Sequence, residues 1–149
     1  MPIFERLDAE LREALKSGDK LKLSVVRMIK ASLKNKEIDK TGTLTAEEII
    51  SVLSTMVKQR RESIEQFSTA GRTDLVDKEK AELEIIQSYL PKQLSLQEID
   101  AIILSAIKEC NASSPAEMGM VMKLVSPKIK GVADGKMVNQ RVKEFLSKQ

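Results

Sequence analysis

Apolar residues recur three and four positions apart along most of this chain, and residues that start or stop helices close off each run. Ile3, Leu7, Leu11 and Leu15 fall every fourth residue, which stacks them on one helical face, and Gly18 stops that helix. A second helix is expected from about Lys20 to Ile38. Val25, Val26, Ile29 and Leu33 line its inner side, and Lys20, Arg27, Lys30 and Lys34 lie within roughly 80° of one another on the other side. Thr45 and Glu48 have capping-box spacing before a long third helix that runs to about Ala70 and ends at Gly71. Its stripe is Ile49, Leu53, Met56, Val57, Arg60, Ile64 and Phe67, with an arginine in an apolar place. If that arginine is buried it needs a carboxylate or carbonyl partner.

A fourth helix starts near Thr73 or Asp74, carries Leu75, Val76, Leu83, Ile86 and Leu90, and is expected to end at Pro91. Ser95 and Glu98 open a fifth, with Ile99, Ile102, Ile103, Ala106 and Ile107 inward. Ser114, Pro115 and Glu117 read as the cap, first and third positions of a sixth, closed by Pro127. Asp134 caps a seventh, whose core face is Val138, Val142, Phe145 and Leu146. Three Phe, one Tyr and no Trp leave the interior to aliphatic side chains and methionine. The fold class is therefore all-α. An N-terminal helical domain of about four helices, residues 1–91, precedes a three-helix C-terminal tail domain, residues 92–149, joined at Pro91-Lys92-Gln93-Leu94.

Several chemistries find no support. The chain has no histidine, the commonest general base and metal ligand, and its one cysteine, Cys110, has no partner for a disulfide or a thiolate metal site. No phosphate-binding glycine loop occurs. The helix cap accounts for Ser114, so Ser113-Ser114 does not read as a nucleophile pair. Asp77 with Glu79, and Glu82 with Glu84, point in different directions around a helix and read as solvated faces. No catalytic residue, cofactor or metal site is expected. Without a signal-like apolar stretch or a membrane-length span, the expected location is cytoplasmic.

Charge is uneven. Residues 1–91 hold 16 basic and 16 acidic side chains, whereas residues 92–149 hold 9 and 6. Ala116, Gly119 and Lys123 share the face of the sixth helix opposite its apolar stripe. Gly119 costs helix stability there, which either close approach by a partner or close packing by another helix of the chain would offset. Lys128, Lys130 and Gly131 follow, then Gly135 and Lys136, with Lys143 further along the last helix. Lysines and open helix starts suit phosphate oxygens. The scarcity of aromatics argues against base stacking and favours recognition of folded RNA by shape. The basic face of the second helix reads first as solvated surface.

Leu23-Ser24-Val25-Val26-Arg27-Met28-Ile29-Lys30-Ala31-Ser32-Leu33, Lys58-Gln59-Arg60-Arg61-Glu62-Ser63 with Phe67 and Gly71-Arg72, and Tyr89-Leu90-Pro91-Lys92-Gln93-Leu94-Ser95 resemble signatures of the YqeY-like family. The tail resembles the tail domain of the B subunit of the tRNA-dependent amidotransferase. The resemblance implies a helical domain followed by a three-helix tail, with tRNA or a tRNA-amidotransferase-like complex as partner. It implies tRNA binding at Lys123, Lys130, Gly131, Gly135 and Lys136, to which the charge pattern adds Gly119, Lys128 and Lys143. It also attaches the label of carbon–nitrogen ligase with glutamine as amide donor. The amidase subunit and the B subunit's larger domain have no counterpart in this sequence, so an accessory role fits better than catalysis. The alternative is a protein-interaction adaptor using the exposed face of the sixth helix, and carboxylate catalysis comes third.

Overall fold

The computed structural model describes residues 2–148 and is all-α, with seven α-helices among them. In order they are α1 (Ile3–Ser17), α2 (Lys20–Lys40), α3 (Ala46–Thr69), α4 (Thr73–Gln87), α5 (Leu96–Cys110), α6 (Met118–Ile129) and α7 (Gly135–Ser147). The chain divides into two compact units, one ending at Leu90 and the next beginning at Pro91.

In the first unit, Gly18 ends α1 at φ +74°, a left-handed conformation that a Cβ would penalise. Asp19 caps α2 by accepting from the Lys22 amide. Thr45 and Glu48 make both reciprocal bonds of the capping box at the start of α3, at 3.1 and 3.0 Å. The core consists of Leu7, Val25, Val26, Ile29, Leu33, Leu44, Leu53, Met56, Val57 and Ile86, all aliphatic or methionine. Arg6 fastens α1 to the chain following α4: its guanidinium lies 4.2 Å above the Tyr89 ring and donates to the Ser88 carbonyl.

α4 ends at Gln87, before the proline expected to stop it. Ser88, Tyr89 and Leu90 continue in tight turns, with the Tyr89 and Leu90 amides donating to carbonyls three residues back. The helical path has therefore ended before Pro91 can interrupt it.

Arg60 is the organising charge of the first unit. Its side chain is 13% exposed, and its Nε lies 3.0 Å from Glu82 Oε2 and 3.6 Å from Glu79 Oε2. The Nε–H is not aimed along either contact, so the attraction is coulombic rather than that of an aligned hydrogen bond. Glu82 is 7% exposed and Glu79 is also largely covered, which corrects their reading as a solvated acidic face. Glu79 and Glu82 are three residues apart on α4 and therefore neighbours on its surface. Arg60 of α3 meets both, so the arginine in the apolar stripe and the carboxylates on α4 explain one another.

In the second unit, the capping box at Ser95 and Glu98 opens α5. Ile99, Ile103, Ala106, Ile107, Val121, Val125, Ile129, Val138, Val142 and Leu146 pack into its core. Two expectations for α6 are corrected. Pro115–Glu117 form a separate 3-10 turn, and the Ser114 side chain makes no capping bond. Instead the Glu117 carboxylate accepts from the Ser113 amide and hydroxyl. Pro127 does not close α6, which continues to Ile129. Proline in a last turn removes one amide bond, and burial of Val125 and Ile129 on either side of it holds the helical course.

The segment read as a joint is partly anchored. The Gln93 side-chain amide donates to the Gly131 carbonyl at 2.9 Å, and the Leu94 amide donates to the Val132 carbonyl at 2.8 Å. Both bonds stay inside the second unit.

Two outcomes follow from this packing. Arg60→Met leaves Glu82 buried without its cation and should destabilise the protein by about 3 kcal/mol, at the lower end because Glu79 still reaches water. Urea unfolding measures it, and a loss below about 0.5 kcal/mol would mean that the pair contributes nothing. Residues 91–149 expressed alone should give a helical circular dichroism spectrum with a cooperative melt. An unstructured fragment would show that this unit cannot fold by itself.

Candidate nucleic-acid interface

The apolar stripe of α6 turns inward: Val121, Val125 and Ile129 are buried, and Met118 and Met122 are half-buried. Ala116, Gly119, Met120 and Lys123 therefore come out exposed on the reverse side. A Cβ built at Gly119 would meet nothing within 4 Å. No helix of the second unit packs closely on this glycine. Lys128 is exposed but lies five residues beyond Lys123, about 140° around the helix, so it belongs to a flank and not to the same face.

Between α6 and α7, Lys130 is exposed while Gly131 turns the chain at φ +78°. The Gly131 carbonyl is the acceptor for Gln93. Gly131 thus has a backbone role, setting and anchoring the loop that presents Lys130. Gly135 opens α7, exposed and with nothing within 4 Å of a Cβ. Lys136 and Lys143 stand exposed together on one flank of α7, beside the stripe of buried Val138, Val142 and Leu146.

The helix starts are less open to phosphate than the sequence reading held. The Asp134 carboxylate accepts from the Lys136 amide at 3.1 Å and puts an acceptor where an anion would sit. Glu117 does the same for the Ser113 amide before α6. Attraction for a polyanion then rests on lysine side chains. Lys123, Lys128, Lys130 and Lys143 make no ion pair within the described residues.

Arg141 belongs to the same basic run yet is committed elsewhere. It grips Asp100 of α5 through two bonds of 2.6 and 2.7 Å and lies 5.6 Å from the Phe145 ring centre. The bond from Arg141 holds the Asp100 carboxyl below the ordinary carboxylate range, and Asp100 raises Arg141 in turn. The pair is a strut between α5 and α7. Cys110 is half-buried, its thiol 3.6 Å from the Met120 carbonyl. Among the described residues no group of three or more His, Cys, Asp or Glu is placed to hold a metal, and no helix is long and apolar enough to cross a membrane.

The sequence is matched by the family model described as "Yqey-like protein", which aligns with residues 4–146. The chain belongs to the YqeY-like family. Similar curated proteins are named "Altered inheritance of mitochondria protein 41, mitochondrial". The one from Pyrenophora tritici-repentis is 32% identical over 97% of this chain and 81% of its own length. Those from Lachancea thermotolerans and Eremothecium gossypii are 35% and 40% identical, over 74% and 56% of this chain. The matches cover only 60% and 46% of those two proteins. The cytoplasmic expectation is corrected by these relatives, whose names carry mitochondria as their compartment. It had rested only on the lack of an apolar leader or span.

One grouping escaped the sequence reading. The basic side of α2 is joined by α1, where Asp8 accepts a 2.6 Å bond from Lys30. That bond, together with the charges of Lys30, Arg12 and Lys34, holds the Asp8 carboxyl below its usual range. Neither helix alone signals which residues of the other it will face.

An exposed glycine with room for a methyl group carries a stability penalty that the fold does not require. Gly119→Ala should raise stability by about 0.5–1 kcal/mol, measured by urea unfolding. A destabilised variant would reveal a steric demand inside the unit.

Proposed function

We propose that this protein binds tRNA through the lysine-bearing side of its second unit, as an accessory to tRNA handling. The observation that carries the reading is that Lys123, one turn from the uncovered backbone at Gly119, and Lys130, at the far end of α6, project with no ion-pair partner within the described residues. Cations not engaged with carboxylates can exchange condensed counterions for phosphate contacts, whereas paired ones must first break a bond. Lys143 extends the same chemistry along α7, Lys128 widens it on a flank, and Lys136 adds its charge at the start of α7. Gly131 and Gly135 contribute through the backbone, by turning the loop and leaving the start of α7 uncrowded. Resemblance of this tail to that of the amidotransferase B subunit supports tRNA as the polyanion, either free or within an amidotransferase-like complex. The carbon–nitrogen ligase label stays with that complex, because no constellation of residues described above would perform the amide transfer.

The second reading is a protein adaptor. Met120 is 54% exposed next to Gly119, and an apolar side chain beside a bare helix backbone suits a partner helix.

Salt separates the two. Changing Lys123, Lys130 and Lys136 together to Gln should weaken tRNA binding and lower the slope of log affinity against log salt by roughly two to three units. Gly119→Leu should also weaken binding, with little change of slope, because it blocks approach without removing charge. Melting temperatures must stay near the parent's for either result to count. A triple variant that binds tRNA as tightly as the parent at equal salt would discard the RNA site and leave the adaptor.

A further inference from the structure

From Lys20 to Lys36, α2 carries six basic residues and no acidic one. Lys20 and Lys22 fall in its first turn, which holds no acidic residue. The helix dipole disfavours cations there, and at this helix start the Asp19 cap is the acidic group that offsets them. A face needed only for solubility would be served as well by either sign of charge. Lys20, Arg27 and Lys34 are exposed and seven residues apart, which sets them nearly in line along the helix at about 10.5 Å intervals. Ser24 and Ala31, also exposed and seven apart, form a low row beside them.

α1 adds to this line. Arg12 is exposed, and its charge, with those of Lys30 and Lys34, reaches the Asp8 carboxylate. Lys30 is bonded to Asp8, and Lys34 Nζ lies 5.6 Å from the centre of the Phe4 ring. One carboxylate set among three cations leaves the seam between the helices positive. Arg27 and Lys20 make no ion pair within the described residues.

We infer that the α1–α2 seam is a second polyanion-binding face, taking the phosphodiester backbone of RNA along the line Lys20, Arg27 and Lys34, with Arg12 at its edge. The inference rests on the tRNA reading of the second unit for the identity of the ligand, but on separate residues for the contact. A rigid helix presenting cations at regular intervals, with only serine and alanine between them, lets a sugar–phosphate chain lie close. The same low row argues against a lipid surface. An interfacial helix carries a continuous stripe of large apolar side chains beside its lysines, whereas here the exposed ones, Leu15 of α1 with Met28 and Ile38 of α2, are scattered and form no stripe.

The test uses the full chain and a purified bulk tRNA. Lys20→Gln/Arg27→Gln/Lys34→Gln should bind tRNA roughly 100-fold more weakly near 0.1 M salt and lower the salt slope by about two to three units. Combining it with the second-unit triple variant should lower the slope further than either alone. Because Lys34 also covers Phe4, Lys20→Glu/Arg27→Glu is measured in parallel and should weaken binding without lowering the melting temperature. If the α2 variants keep parental affinity and slope while the second-unit variant loses them, the seam is not an RNA face and the tail reading stands. Loss only in the α2 variants would place the RNA site on the seam and overturn the tail reading. A parent that binds no tRNA at all overturns both. If the α2 changes abolish adsorption to phosphatidylglycerol vesicles and leave tRNA binding intact, the occupant is a membrane and the inference fails.

Discussion

A helical unit of about sixty residues has little interior to spare, and here it must be filled without a buried aromatic ring. The second unit does so with branched aliphatics and alanine drawn from all three of its helices, and these define which way each helix faces. Val121, Val125 and Ile129 commit one side of α6, as Val138, Val142 and Leu146 commit one side of α7. Everything else on those helices is surface by consequence. The lysines are displayed where they are because the aliphatic core leaves them no other side.

Charge is used in two distinct ways on this framework. Arg60 with Glu79 and Glu82, and Arg141 with Asp100, are cations spent inside the fold, each joining two helices. Arginine suits both places because its planar group can meet two oxygen atoms at once. Lys123, Lys128, Lys130 and Lys143 are the opposite case, exposed and without an ion pair within the described residues. Counting basic residues along the sequence does not separate these populations. Arg141 stands in the same run as Lys136 and Lys143 but faces α5, and its charge is already neutralised.

The helix starts show the same division at finer scale. Asp134 and Glu117 satisfy amides that an incoming phosphate would otherwise seek. Caps that secure the fold thereby withdraw the helix termini from anion binding. Gly131 is part of that bargain, turning the loop at a backbone angle few residues accept and tying it to Gln93.

Local physics was legible in the sequence. Capping boxes at Thr45 and Ser95, the left-handed stop at Gly18 and the apolar stripes all depend on residues within four positions of one another, so spacing alone announced seven helices and an aliphatic interior. Where two local rules competed, the reading failed. Pro127 sits inside α6 and Ser114 caps nothing, because tertiary burial and the Glu117 side chain decided those ends. What spacing could not supply is which helix faces which. The partners of Arg60, the empty space over Gly119, the engagement of Arg141 and the convergence of Arg12 with α2 are contacts or vacancies between segments far apart in the chain. Such pairings follow from how the helices stack, and a helix read alone carries no record of its neighbours.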